Sequence, residues 1–225
     1  MSLIRTEGLE KIYRLDHVEV PALRGVDLTI EGEEFLAIAG PSGSGKTTLL
    51  NLIGGLDRPT AGQVFLEEQE ITRLNKSRLA ELRLRKIGFV FQAYNLLPVL
   101  TALENVEYVM LLQGIAAGER RQRALAILGE VGLAEYANRF PNLMSGGQQQ
   151  RVAVARAIVA QPKLVLADEP TANLDSTASS ELLDLMRQLN RDHGVTFVFS
   201  THDPLVMERA ERLVRLRDGK VFGDE

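Results

Sequence analysis

A glycine-rich segment near the N-terminus has the residue types that bind phosphate. The sequence GPSGSGKTT fits the pattern G-x-x-x-x-G-K-[ST], with Gly45, Lys46 and Thr47 at the fixed positions. Its glycines let backbone amides wrap a phosphate group, while Lys46 neutralises phosphate oxygens and the Thr47 hydroxyl can ligate Mg²⁺. The pattern therefore predicts a nucleotide site. The predicted contact residues are Gly40, Pro41, Ser42, Gly43, Ser44, Gly45, Lys46, Thr47 and Thr48.

Two carboxylates follow a short apolar run in the sequence LVLADEP, residues 164–170. Open parallel sheets bind ligands at the carboxyl ends of their strands, and Asp168 and Glu169 are expected at that edge. Asp168 is then placed to hold the hydration shell of a magnesium ion, and Glu169 to orient or deprotonate a water molecule. Two such acids are more often ordinary loop residues, but the phosphate loop upstream favours the catalytic interpretation.

A second pair of glycines, in the sequence LMSGGQQQR at residues 143–151, also precedes a helical pattern. Small residues at the start of a helix expose backbone N–H groups and the positive end of the helix dipole to an anion. One nucleotide needs only one such cradle. The residues themselves leave open what the second one binds.

The elements that must position these groups predict an α/β fold. Near-continuous apolar runs indicate buried strands of a largely parallel sheet, at residues 35–39, 87–90, 164–167 and 196–199. Two alternating segments, residues 3–11 and 23–30, indicate a smaller antiparallel layer. The phosphate loop is expected to open a helix over residues 46–53.

Helical periodicity replaces the strand pattern after Gln92, and the strand pattern resumes at Leu164. We therefore expect one domain whose core, residues 1–92 and 162–225, is interrupted by a helical insertion, residues 93–161. One apolar stripe in this insertion comprises Ala124, Ile127, Leu128 and Val131. A later stripe predicts a helix that is capped by Asp175 or Ser176 and closed by Gly194.

Composition argues against several other classes of protein. The chain has 225 residues, a formal net charge of -4 at pH 7 and no cysteine. An acidic chain does not favour nucleic-acid binding, and the lack of cysteine excludes disulfides and thiolate metal sites. The N-terminus has no apolar signal-peptide region, and no apolar run approaches the length that crosses a bilayer. We expect a cytosolic protein that reaches a membrane only through a partner.

The motifs stand in the order found in ATP-binding-cassette (ABC) proteins, and the sequence resembles that family over essentially its whole length. The resemblance implies a P-loop NTPase fold, with an adenine ring stacked on Tyr13 and His202 at the γ-phosphate. It also implies that Gln92 lies at the hinge between core and insertion, and that Asp175 belongs to the family's D-loop. The family signature corresponds to Ser145, Gly146, Gly147 and Gln148.

The resemblance also suggests what the second glycine pair binds. ABC cassettes dimerise head to tail, which implies that Ser145 and the amides after it cap ATP held by the partner chain. In the implied reaction Glu169 activates a water molecule, and Lys46 and His202 stabilise charge on the γ-phosphate. Asp175 is expected to cross the dimer interface. The residues implied to organise Mg²⁺ are Thr47, Gln92 and Asp168.

Each of these implied contacts has a simpler alternative. Taken singly, Tyr13 would be a half-buried aromatic residue at a strand end. Gln92 would be a loop amide, and His202 a polar residue after a strand. The two other histidines, His17 and His193, are interpreted as exposed residues of a loop or a helix end.

Three further features bear on the comparison. The basic run Arg83, Arg85 and Lys86 is interpreted as a solvated helix face rather than a contact with lipid or a partner. Met144 stands where the signature commonly has leucine, a change of similar volume that should cost little. Asn173 replaces a more usual small residue in the D-loop. Neither change removes a catalytic group.

The phosphate-loop and signature segments are most similar to the branch whose permeases release lipoproteins from the inner membrane or export macrolides and peptides in bacteria. This implies an ATP-hydrolysing homodimer with ATP and Mg²⁺ as cofactors and no nucleic-acid partner. It would be held at the inner face of the membrane by an integral-membrane permease. An exposed apolar patch within residues 93–112 would mark that contact. Two other functions remain open: a regulatory cassette of a membrane complex, as in the related cell-division type, and a soluble cassette that acts on ribosomes or DNA.

Overall fold

The computed structural model describes residues 2–15 and 18–225, and His17, interpreted above as an exposed residue, lies outside these ranges. Contacts divide the chain into two compact units, Met1–Arg83 with Thr196–Glu225, and Leu84–Val195. The predicted insertion falls within the second unit, and its boundaries stay a prediction. The α/β fold class is confirmed, with parallel and antiparallel strand pairs.

The strands and helices that the structure describes are numbered in chain order. The strands are β1 (Ser2–Leu15), β2 (Val18–Glu31), β3 (Phe35–Ala39), β4 (Ala61–Leu66), β5 (Gln69–Glu70), β6 (Ile87–Phe91), β7 (Leu164–Asp168), β8 (Thr196–Thr201), β9 (Arg212–Arg217) and β10 (Lys220–Asp224). The helices are α1 (Lys46–Ile53), α2 (Lys76–Lys86), α3 (Ala102–Leu112), α4 (Ala117–Glu130), α5 (Gly146–Ile158), α6 (Ser176–His193) and α7 (Pro204–Arg209). Two short 3₁₀ turns, Ala134–Tyr136 and Pro141–Leu143, lie between α4 and α5.

One layer of the first unit is an antiparallel sheet in the order β2-β1-β4-β5. Ile4 pairs with Ile30 of β2 on one side and with Leu66 of β4 on the other, and all three are fully buried. Along β2, buried and exposed residues alternate from Val26 to Glu31. Such alternation is typical of a sheet with one face on the core and one in water, and it confirms the two alternating segments as strands.

The other strands of this unit lie in the order β10-β9-β3-β8, with β3 parallel to both β8 and β9. Every residue of β3 and β8 is buried, as the near-continuous apolar runs predicted. Phe35 anchors this core, with its ring centroid 4.6 Å from that of Phe199 and 5.8 Å from that of Phe197. The carboxyl ends of β3 and β8 lead to the phosphate loop and to His202.

The second unit contains the parallel pair β6 and β7, in which Phe91 lies opposite Asp168. Helix α5 packs on β6, and α3 packs on both α4 and α5. Gly88 allows the close approach of α5, because a Cβ atom there would lie 2.5 Å from the carbonyl oxygen of Ala157. The apolar stripe predicted in α4 and just after it is buried, as expected for its core face: Ala124, Ile127, Leu128 and Val131.

The predicted helix ends are found where the capping residues stand. The Asp175 carboxylate accepts the Ala178 N–H at 2.8 Å at the start of α6, and Gly194 ends this helix in the left-handed conformation at φ 60°. Asp175, rather than Ser176, is therefore the cap. Among the described residues, no helix combines the length and the apolar character that a bilayer crossing requires.

The interpretation of the basic run as a solvated face is wrong for Arg83. Its guanidinium donates to the carbonyl oxygen of Gly55 at 2.8 Å and is partly buried. Gly55 has φ 62° and turns the chain after α1, so Arg83 stabilises that turn. Lys86 is half-buried, and Arg85 is exposed, as interpreted.

Candidate functional site

The phosphate loop connects β3 to α1 in the first unit, and its outer glycines are required by close approach. A Cβ atom on Gly40 would lie 2.1 Å from the carbonyl oxygen of Leu216, which stands on β9. Gly45 adopts φ 106°, and a Cβ atom there would lie 2.5 Å from the carbonyl oxygen of Ala22. The Gly219 N–H also donates to the carbonyl oxygen of Ser44 at 3.0 Å. Neighbouring strands therefore hold the loop on both sides.

The inside of this loop has donors that suit a phosphate group. The Lys46 side chain is almost fully buried, and its ammonium donates to the carbonyl oxygens of Gly40 at 2.8 Å and Pro41 at 3.1 Å. The Ser44 hydroxyl is buried without a hydrogen-bond partner. The N-cap residue of α1, Gly45, provides no side-chain cap for the first amides of the helix. These donors fit an anion, because helix N-termini and their dipoles favour negative charge.

His202 and the phosphate loop meet at one cleft of the first unit. The cleft has a volume of about 490 Å³. Its lining residues are Ala39, Gly40, Pro41, His202, Met207, Arg215, Arg217 and Phe222. The sequence predicted both His202 and the loop as phosphate contacts, and the structure brings them together. Thr47, the predicted metal ligand of this loop, is exposed in the first turn of α1, and Thr48 is half-buried.

Tyr13, the predicted adenine contact, lies on β1 with 36% of its surface exposed. Its hydroxyl donates to the Asp57 carboxylate at 3.1 Å, and the Lys11 ammonium lies 4.9 Å from the centroid of its ring. Burial raises the pKa of Asp57, but hydrogen bonds from Lys11, the Arg58 amide and Tyr13 outweigh it, so the pKa lies below its usual value. The aromatic ring is thus held in place by an ionised carboxylate, with part of its surface open to a ligand.

Asp168, Glu169 and Gln92 lie at one edge of the second unit. Because β6 and β7 are parallel and Phe91 is opposite Asp168, Gln92 and Glu169 follow at the same end of the two strands. Glu169 adopts φ 47°, in the left-handed region. A residue with a side chain is strained there by about 1–3 kcal/mol, and such strain is often found at functional sites. The Ala172 N–H donates to the Glu169 carbonyl oxygen at 3.2 Å.

The signature residues form the start of α5. The Ser145 hydroxyl accepts the Gln148 N–H at 3.3 Å, and the Gln148 side chain accepts the Ser145 N–H at 2.9 Å, which is a capping box. Gly146 lies under the Tyr94 hydroxyl, which would be 2.8 Å from a Cβ atom at this position. Gly146 and Gly147 are the first two helical residues. The S-x-x-Q pattern of a capping box was visible in the sequence, but Gln148 was interpreted only as a ligand contact.

Two side chains that the sequence analysis did not assign to the site hold the loop after Gln92. The Asn173 side chain donates to the Gln92 carbonyl oxygen at 2.8 Å and so links this loop to the D-loop. Arg156 of α5 donates to the carbonyl oxygens of Tyr94 at 2.9 Å and Asn95 at 2.5 Å. Burial lowers the pKa of Arg156. Tyr94 and Asn95 have φ 59° and 50°, so the guanidinium stabilises two left-handed residues in succession.

The comparisons with known proteins agree with these features. A family model described as ABC transporter matches residues 23–172. An uncharacterised ABC transporter ATP-binding protein of Thermotoga maritima is 52% identical, over 96% of this chain and 92% of its own length. The lipoprotein-releasing system ATP-binding protein LolD of Anaeromyxobacter dehalogenans is 48% identical, over 98% of this chain and 93% of its own. The macrolide export ATP-binding/permease protein MacB of Syntrophobacter fumaroxidans is 48% identical over 98% of this chain, but only 31% of its own length is matched.

A solved structure of an ABC cassette is also similar to this chain. The ATP-binding cassette MJ0796 of Methanocaldococcus jannaschii, as a dimer in a post-hydrolysis state bound to ADP and Pi, has a TM-score of 0.91 and 44% identity. The alignment covers 99% of this chain and 97% of that one. The chain belongs to the ABC transporter family, and it is an ATP-hydrolysing cassette with the P-loop NTPase fold. The roles of its individual site residues stay predictions.

The conformation of the phosphate loop predicts the effect of Gly45→Ala. Because the new Cβ atom meets the Ala22 carbonyl and φ 106° is strained for alanine, we expect a cost of about 1–3 kcal/mol, or roughly fivefold to 150-fold in ATP affinity. Equilibrium binding of ATP measures this directly. Gly32→Ala is the matched control, since a Cβ atom there meets nothing within 4 Å. Equal affinity in the two variants would contradict the assigned role of the loop.

Proposed function

We propose that this chain is the ATP-hydrolysing subunit of a lipoprotein-release or macrolide-export transporter. It works as a homodimer at the inner face of the membrane, joined to an integral-membrane permease. The names of the LolD and MacB relatives support this branch of the family. The MacB relative carries ATP-binding and permease functions in one protein, of which this chain matches about a third.

The observation that carries the proposal is the glycine start of α5. Its capping box uses the amides of Ser145 and Gln148, and not those of Gly146 and Gly147. These two amides, at the positive end of a helix of 13 residues, suit a phosphate group. The first unit already has its own phosphate loop at α1. We therefore assign the second cradle to the γ-phosphate of ATP bound by the partner copy, and the dimeric state of the MJ0796 cassette supports this assignment.

In this proposal hydrolysis is an in-line attack of water on the γ-phosphate. Glu169 orients the water and accepts its proton, which general bases do for a gain of about 10²–10⁴ in rate. Lys46 and His202 stabilise the negative charge that spreads over the phosphoryl oxygens. The signature amides bind ATP but lose their contact when only ADP remains. The closed dimer is therefore stable with ATP and opens after hydrolysis.

Mg²⁺ is the second proposed cofactor. Within the described part of the chain, no group of three or more His, Cys, Asp or Glu side chains could hold a metal ion. This fits a magnesium ion that is held by a single carboxylate, other oxygen ligands and nucleotide phosphates. Thr47, Gln92 and Asp168 are the residues that would hold it. When bound, the ion supplies positive charge to the phosphate oxygens during transfer.

The proposed permease contact is the apolar segment after Gln92. Residues 93–112 contain several large apolar side chains that are exposed, which is unusual unless they mark an interface. They are Leu97, Val99, Tyr108, Leu111 and Leu112. Val99 is the most exposed of these, at 79%. A permease helix that buries them would lie against the segment that follows Gln92. This contact would couple the nucleotide state to the membrane subunit.

The proposed base predicts the behaviour of Glu169→Gln. The amide keeps the shape of the side chain but cannot accept the proton, so turnover should fall by about 10²-fold or more. ATP binding should be unchanged, because the phosphate loop is intact. The variant should therefore accumulate as an ATP-bound dimer, which size-exclusion chromatography with ATP detects.

The control for this experiment is Glu135→Gln, the same change at an exposed residue. It should hydrolyse ATP at the parental rate and show no ATP-dependent accumulation of dimer. If Glu169→Gln turned over ATP as fast as this control, Glu169 would not be the base.

The proposed docking surface predicts the behaviour of Val99→Asp. Placing a charge in an apolar contact should abolish stimulation of the ATPase by the co-purified permease, while basal ATPase activity of the isolated cassette stays within about twofold. Leu125→Asp, at a residue of α4 that is 42% exposed, is the control and should keep the stimulation. Full stimulation of Val99→Asp would place the permease elsewhere. A membrane partner that lacks a substrate route would favour the regulatory alternative.

A further inference from the structure

Gln150 lies in α5, the helix that begins with the signature, and its side chain is fully buried. Its amide nitrogen donates to the carbonyl oxygen of Pro170 at 2.7 Å and, more weakly, to that of Phe91 at 3.4 Å. Both partners are acceptors, so only the nitrogen of the amide can face them. One side chain thus joins α5 to the ends of two parallel strands.

The two carbonyl groups stand next to the residues with the main predicted roles. Pro170 follows Glu169, the proposed base, and Phe91 precedes Gln92, a proposed metal ligand. Because Phe91 is opposite Asp168 in the β6–β7 pair, the amide sits at the point where both strands end. A movement of α5 would therefore act, through the Gln150 amide, on the backbone next to Glu169 and Gln92.

The backbone of Glu169 needs such support. Its φ of 47° lies in the left-handed region, and strained residues persist only when the surrounding structure holds them. The Ala172 N–H holds the carbonyl group of Glu169, and Gln150 holds that of the next residue, Pro170. Without the amide, the Pro170 carbonyl oxygen loses this donor, and the backbone next to Glu169 loses one of the contacts that hold it.

Only one end of the Gln150 amide is paired. Its side-chain oxygen is buried and has no hydrogen-bond partner. Buried polar groups in native proteins are nearly always paired, so an unpaired one calls for an explanation. An unbranched apolar side chain would remove the unpaired oxygen, but it would also leave the Pro170 carbonyl oxygen without this donor. The unpaired oxygen is explained if the amide nitrogen is needed as the donor to Pro170 and Phe91.

We infer that Gln150 is a positioning residue for ATP hydrolysis, which fixes the backbone of Glu169 and Gln92 relative to the signature helix. This inference rests on the proposed roles of Glu169 and Gln92. It assigns to Gln150 no contact with the nucleotide. The loop after Gln92 keeps its bonds to Asn173 and Arg156 when Gln150 is changed, so the loss falls mainly on the Glu169 side.

The test is Gln150→Met, which keeps the length of the side chain and removes the amide. We expect kcat to fall about tenfold to hundredfold, because small misplacements of a catalytic group have effects of that size. KM for ATP should stay within about twofold, since the phosphate loop is untouched. Gln150→Leu is a second variant with the same expected kcat loss, in case methionine does not pack.

The matched control is Asn190→Leu. Asn190 is a buried amide of α6 that donates to the carbonyl oxygen of Val195 at 2.7 Å. The control should lower the melting temperature to a similar degree as Gln150→Met but keep the parental kcat. If both variants lose kcat equally, or if Gln150→Met keeps the parental kcat, Gln150 is structural only and the inference is overturned.

A double variant separates this inference from the proposed function. In the Glu169→Gln background, Gln150→Met should lower the residual rate less than twofold, because the group that it positions is already disabled. If Gln150→Met lowered the rate tenfold or more in this background as well, Gln150 would not act through Glu169. If Glu169→Gln itself keeps the parental rate, the proposed function fails. If Glu169→Gln behaves as proposed and Gln150→Met has no effect on kcat, only the present inference fails.

Discussion

The first backbone N–H groups of a helix have no partner within the helix, and two helices of this protein begin with glycines that leave such groups available. Helix α1 starts at Gly45, which provides no side-chain cap. Helix α5 is capped by Ser145 and Gln148, but its capping box does not use the amides of Gly146 and Gly147. Contacts with the backbone of Leu216 and Ala22 require the glycines of the first loop, whereas at the second only the mobile end of the Tyr94 side chain lies close to Gly146. Substitution in the first loop therefore disturbs the amides that would face phosphate.

Backbone strain in the second unit lies next to the predicted site residues. Glu169, Tyr94 and Asn95 all adopt the left-handed conformation without being glycine. Side chains of α5 hold these segments by their carbonyl groups: Gln150 through Pro170, and Arg156 through Tyr94 and Asn95. The helix that starts at the signature is thus bonded to the loops that carry Glu169 and Gln92. A phosphate group bound at the start of α5 would therefore be linked by these hydrogen bonds to the loops of Glu169 and Gln92.

The strands and the helix boundaries could be predicted because their signals are local. Burial on both faces makes β3 and the centre of β8 apolar, and Asp175 and Gly194 cap α6 through adjacent backbone groups. The contacts of Arg156 and Asn173 with the loop after Gln92 could not be predicted in this way. They join residues 61 to 81 positions apart, and such approaches depend on how whole elements pack. Arg83 was misjudged for the same reason, since its partner Gly55 is 28 positions away.

The central proposal is that two copies of this chain complete each other's ATP sites. Mixing two inactive variants tests it most directly: Lys46→Ala, which disables the phosphate loop, and Gly147→Asp, which puts a negative charge at the start of α5. Each variant alone should be inactive. An equimolar mixture should recover ATPase activity, because the heterodimer pairs one intact phosphate loop with one intact signature. If the mixture stays inactive although the heterodimer forms, or if Gly147→Asp alone turns over ATP at the parental rate as a monomer, the proposal is contradicted.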